Sequence, residues 1–143
     1  MRISSLTLIT ASFALLASCS TIPQPLSSSH YKAELAGFGW KRNGGSFGSE
    51  ASAALGVTRI TASPTQLYLK AYLPNPDGSR SKPIKKVDSG GKGSFVMFEG
   101  AKKGGWIPNQ RYTFHLDVFS DPQCLKRIDS LSQPAVCIVP PLQ

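Results

Sequence analysis

The feature that most constrains this chain is the alternation in Tyr112-Thr113-Phe114-His115-Leu116-Asp117-Val118, where large apolar and polar side chains take turns. A strand turns successive side chains to opposite faces, so Tyr112, Phe114, Leu116 and Val118 share a face that packs, while Thr113, His115 and Asp117 face water. Leu67, Leu69, Ala71 and Leu73 repeat the pattern, with Tyr68, Lys70 and Tyr72 opposite. Elsewhere short apolar segments are broken by Gly, Pro, Asn and Asp. None sustains a capped helical period, apart from a turn or two over 50–55 and 125–131. The segments expected to be strands are 33–40, 57–62, 66–73, 83–88, 94–99, 111–119 and 135–139. Pro74-Asn75-Pro76-Asp77-Gly78-Ser79 is a dense turn signal that predicts a hairpin with a projecting loop. The spacing of these segments predicts an all-β fold: a single small β-sandwich of about seven strands, with a small barrel as the other form such spacing allows.

Upstream of this region, Arg2 precedes an apolar run over 6–16. The run is long enough for the core of an export signal and shorter than the roughly 20 residues of a membrane-spanning helix. It closes on Leu16-Ala17-Ser18-Cys19. This quartet resembles the lipobox of bacterial lipoproteins, in which the cysteine is acylated and the bond before it is cut. The resemblance implies a signal peptide over 1–18 and a lipidated Cys19. Ser20, rather than Asp, follows the cysteine, which by the same resemblance places the anchor in the outer membrane with the protein facing the periplasm. Residues 19–30, with Pro23, Pro25 and several serines, read as a flexible tether, leaving 31–143 as the folded domain.

The chain carries 16 Lys and Arg against 8 Asp and Glu, a net charge of +8. In an exported protein this balance points to acidic protein surfaces, anionic glycans or lipid headgroups as partners and away from nucleic acid. Besides Cys19, the cysteines are Cys124 and Cys137. In an oxidising periplasm they are expected to form one C-terminal disulfide, contributing about 3 kcal/mol in the chain-entropy model. A zinc site would need more donors than this pair supplies. Trp106-Ile107-Pro108-Asn109-Gln110-Arg111-Tyr112-Thr113-Phe114 resembles the approach to a late strand of immunoglobulin-like and fibronectin-like domains, where a Pro-containing turn precedes a Tyr whose hydroxyl bonds back to the corner. The resemblance implies an immunoglobulin-like sandwich and no particular function.

Two glycine-rich passages, Asn43-Gly44-Gly45-Ser46-Phe47-Gly48 and Gly90-Gly91-Lys92-Gly93-Ser94-Phe95, lack the ending of a phosphate-binding loop and read as hairpin connections. Of the two histidines, His30 falls in the tether and His115 shares a strand face with Asp117; without a nucleophile elbow or a third triad member, a solvated strand face accounts for them. No enzyme and no cofactor is expected. The basic stretch is more distinctive. Between Arg80 and Lys103, the cations Arg80, Lys82, Lys85, Lys86, Lys92, Lys102 and Lys103 meet only Asp88 and Glu99. Gathered on adjacent hairpins beside Trp106 and Tyr72, they would form a docking face; scattered, they would only solubilise loops and guard edge strands. The docking residues expected are Arg80, Lys82, Lys85, Lys86, Lys102, Lys103 and Trp106. The segment from Asn75 to Ile84 resembles one in the β-sandwich lipoproteins of type VI secretion, without the aromatic strand motif that follows it there. The function expected is a non-catalytic binding or scaffolding module of an envelope or secretion assembly. The alternatives are an inhibitor or immunity protein against a cell-wall-active enzyme, whose projecting loop would be 74–82 or 100–106, and a binder of anionic envelope glycan or lipid.

Overall fold

A computed structural model describes residues 28–43, 46–62, 65–103 and 105–139. Its strands are β1 (Tyr31–Asn43), β2 (Ser46–Arg59), β3 (Leu67–Tyr72), β4 (Ile84–Asp88), β5 (Phe95–Lys103), β6 (Arg111–Phe119) and β7 (Arg127–Val136). They form a three-stranded sheet of order β1-β2-β5 and a four-stranded sheet of order β4-β3-β6-β7, with antiparallel neighbours throughout. Hairpins join β1 to β2, β3 to β4 and β6 to β7, while the other connections cross between sheets. The chain is thus an all-β, two-sheet sandwich.

The alternating strands behave as their patterns dictate. Leu67, Leu69 and Ala71 of β3 and Tyr112, Phe114, Leu116 and Val118 of β6 all turn inward and are buried. They meet Ala51, Ala53, Leu55 and Val57 of β2 across the sandwich, and burying each of the larger side chains is worth about 1.5–3 kcal/mol. In β1 the register slips between Leu35 and Gly37. That bulge switches the inward set from Tyr31 and Ala33 to Phe38. The Phe38 ring then sits edge-on to Trp106, Tyr112 and Phe114, with centroids 5.0, 5.8 and 5.0 Å away. Each such contact adds about 0.5–1.5 kcal/mol beyond area burial.

One end of the sandwich is closed by charge. Arg59, at the end of β2, is 1% exposed and Asp88, at the end of β4, is 3% exposed, with 3.7 Å between Nη1 and Oδ2. Arg59 also donates to the carbonyls of Thr65 and Gly90, and Asp88 accepts from the Tyr31 hydroxyl, Gly90 N and Ser94 Oγ. The second glycine-rich passage is therefore no hairpin. It carries the chain from one sheet to the other around this ion pair.

Several sequence expectations are corrected. Residues 50–55 and 125–131 contain no helical turn; the first lies in β2, and the second runs from the β6–β7 turn into β7. His30 is docked rather than tethered, its backbone N and its Nδ1 each 2.9 Å from Asp129 Oδ2. The disulfide is absent: Cys124 and Cys137 are both free. Cys124 lies in the turn before β7 and Cys137 just after it, so the 10 residues of β7 stand extended between them. At about 3.3 Å per residue that strand spans roughly 33 Å, whereas a disulfide needs Cα atoms about 4.4–6.8 Å apart. Cys137 instead packs in the core, its Sγ 3.7 Å from the Trp106 carbonyl.

Candidate functional site

The β3–β4 connection holds its own shape. Asn75 N donates to Ser79 O at 2.7 Å, Gly78 N to Asn75 O at 2.9 Å, and Ser81 N to Leu73 O at 2.9 Å. The Asn75 amide reaches Ser79 Oγ and the Arg80 carbonyl at 2.9 and 3.1 Å. Asp77 Oδ1 accepts from Ser79 Oγ and Ser79 N, and these bonds hold its carboxyl below the usual range. Gly78 supplies the positive φ, 85°, that the turn requires. Two core residues bolt the base of the loop to the β5–β6 connection. Trp106 Nε1 donates to the Pro74 carbonyl at 2.8 Å; the Tyr112 hydroxyl donates to the Pro76 carbonyl at 3.1 Å and accepts from Ile107 N at 2.9 Å. Tyr112 thus bonds back to its corner, as the turn-then-Tyr sequence predicts. A loop held this way meets a partner already in shape, which lowers the ordering cost of binding.

The loop delivers Arg80 to the outer face of the four-stranded sheet. Cross-strand neighbours there run in rows: Tyr72, His115 and Ser132; then Lys85, Lys70 and Asp117; then Val87, Tyr68 and Phe119. The Arg80 guanidinium lies 5.5 Å from the Tyr72 ring centroid, and its Nη2 is 3.3 Å from His115 Nδ1. Ser132 Oγ is 2.9 Å from the same nitrogen. A guanidinium only donates, so Nδ1 is the acceptor and the neutral imidazole carries its proton on Nε2. Burial, then the Arg80 charge, hold the His115 pKa below its ordinary value against the opposing pull of Asp117. Lys70 Nζ sits 4.9 Å from the Phe119 centroid. Lys70 and Lys85 pair directly across β3 and β4, a juxtaposition of like charges that costs stability.

The structure divides the expected docking residues. Arg80, Lys82 and Lys85 are exposed on this loop and its sheet. Lys86 turns the other way, donates to the Met97 carbonyl and lies 5.6 Å from the Phe98 centroid, bridging β4 to β5. Lys102 and Lys103 belong to β5 in the other sheet, paired with Ala51 and Glu50. Trp106 is 0% exposed, a core side chain that cannot meet a partner. Cys19 lies outside the described residues. The pair of His115 and Asp117 is divided too, since Asp117 Oδ1 faces Arg127 Nη1 at 3.7 Å. The sequence reading left Lys70 out of this basic face, although its parity opposite Leu69 and the register of the Asn75 turn place it beside Lys85. Among the described residues no three His, Cys, Asp or Glu side chains gather in a set that could hold a metal. Compared with known protein families and with curated proteins, the chain finds no match.

Proposed function

We propose that the chain is an outer-membrane lipoprotein, anchored through an acylated Cys19 and facing the periplasm, whose β-sandwich is a non-catalytic binding module of an envelope or secretion assembly. The observation that carries the binding role is the self-bonded loop between β3 and β4, bolted to the core by Trp106 and Tyr112, which presents Arg80 beside a cationic sheet face. The anchoring role rests on Leu16-Ala17-Ser18-Cys19. A loop that arrives already folded also suits an inhibitor that must enter the cleft of a cell-wall-active enzyme, and the identity of the captured partner separates the two.

The test is crosslinking in intact cells, comparing the native protein with a variant carrying Arg80→Ser, Lys82→Ser and Lys85→Ser. The expected outcome is one defined protein complex, lost in the variant, together with release of the protein from the membrane fraction in Cys19→Ser. An enzyme as sole captured partner would turn the reading to inhibition. Undiminished capture by the variant would take the loop out of the function.

A further inference from the structure

The outer face of the four-stranded sheet has a chemistry that narrows its occupant. Arg80, Lys70 and Lys85 join Arg127 on a face whose strands carry one outward carboxylate, Asp117, already engaged with Arg127. Among the described residues no carboxylate comes within ion-pair distance of Arg80, Lys70 or Lys85. Two lysines directly opposite across neighbouring strands repel unless an anion stands between them. The rings below the cations carry the decisive detail. A sugar stacks on an open aromatic face, but of the three rings in these rows Arg80 covers Tyr72 and Lys70 covers Phe119, which leaves only Tyr68 without a cation over it. Two of the three rings are spent on positioning cations, which keeps the ordering cost of an ionic contact low.

We propose that this face docks a carboxylate-bearing surface of a protein partner, with Arg80 as the anchoring contact; the proposal rests on the docking role above and names the chemistry of its partner. A guanidinium has five N–H donors in a planar fork, and the contact to His115 uses only Nη2, so donors remain for a bidentate carboxylate. Neutral His115 holds Arg80 from the side without adding a charge that would compete. Tyr and Arg are also the residue types that dominate binding energy at protein interfaces.

The test uses the labelled full-length chain in non-ionic detergent, followed by amide NMR during titration with poly-L-glutamate. Polygalacturonate and vesicles of anionic phospholipid are titrated in parallel. Shifts are expected at Tyr68, Lys70, Tyr72, Arg80, Lys85 and His115, with poly-L-glutamate bound most tightly. Arg80→Ser with Lys85→Ser should weaken that binding about tenfold or more. Lys32→Ser with Lys92→Ser, which removes two charges from exposed positions off this face, should change it little. Equal losses in the two double variants would reduce the binding to net charge and overturn the proposal. Polygalacturonate or vesicles binding this face as tightly would replace the protein partner with glycan or lipid. These titrations require neither the anchor nor the native assembly, so capture in cells can fail while they succeed, and the reverse.

Discussion

Arg59 and Asp88 owe their burial to partners supplied from three separate stretches of chain. Desolvating two charges is offset only when their remaining hydrogen-bonding groups are satisfied, as the Thr65 and Gly90 carbonyls, Tyr31, and Ser94 do here. Burial, and then Asp88, push the Tyr31 pKa up, so its hydroxyl remains a donor across the ordinary pH range. Removing one partner leaves the other uncompensated. Asp88→Ala should therefore cost about 3–5 kcal/mol in urea unfolding, and Asp88→Ala combined with Arg59→Met distinctly less than the sum of the two single changes. Strict additivity would mean the ions are not coupled. His115 gives the opposite kind of test. Its folded pKa lies below the ordinary 6.5, so the unfolded chain takes up the proton first as pH falls. Stability should hold above that value and decline from it down through the folded pKa, and His115→Gln should flatten the decline; unfolding midpoints at about pH 7.5 and about pH 5.5 measure both. Neither feature was legible in the sequence. The ion pair exists only because the ends of β2 and β4 converge, and Trp106, beside a run of cations, gave no sign that its indole N–H would find a buried carbonyl.

Strands were legible where the two faces differ in chemistry. β3 and β6 alternate large apolar with polar or amphipathic side chains, and β6 forms over the residues its pattern predicts. β2 hides the same period because its outward residues are small: Ser52, Ala54 and Gly56 alternate with Ala51, Ala53, Leu55 and Val57, giving little contrast and a composition that favours helix. Pairing with β1 on one side and β5 on the other overrides that local preference. β7 is an edge strand with Leu131 as its only fully buried side chain, so its inward face barely registers. Its Pro134 and the lysines of β4 guard the two edges of that sheet against further strand pairing. The geometry of β7 also sets the cysteines apart. Under native oxidising conditions Cys124 should react with a maleimide while Cys137 reacts only after unfolding, and Cys124→Ser should leave the melting temperature unchanged. A fall in melting temperature together with protected thiols would contradict the free state of both. At the other end of β7 the chain closes onto β1 at Gly39, where φ is 153° and an added Cβ would stand 2.2 Å from the Ile138 carbonyl oxygen. Gly39→Ala should break this closure, seen as rapid amide exchange at Trp40 and Ile138, which are hydrogen-bonded across it.

At the scale of the whole molecule, the two sheets serve one purpose at the loop end: they fix the β3–β4 loop to the core through Tyr112 and Trp106. The overall sandwich could be read from strand count and turn spacing, but this coupling could not, because it links residues far apart in sequence through single hydrogen bonds. Tyr112→Phe tests it with minimal disturbance. The ring and its edge contact with Phe38, 5.8 Å between centroids, remain, while the bonds to Ile107 N and the Pro76 carbonyl are lost. Leaving partly buried backbone groups without their partner should cost about 1–3 kcal/mol in urea unfolding. The bonds internal to the loop are untouched, so it should keep its shape and lose its fixed position, with amide exchange faster at Ile107 and little changed at Gly78, whose bond to Asn75 O is local. Binding through Arg80 should weaken as well, since the partner would then bear the cost of positioning the loop. If stability falls as expected while poly-L-glutamate binds the variant as tightly as the native chain, the sheet face alone carries the recognition and the rigidity of the loop serves only the fold.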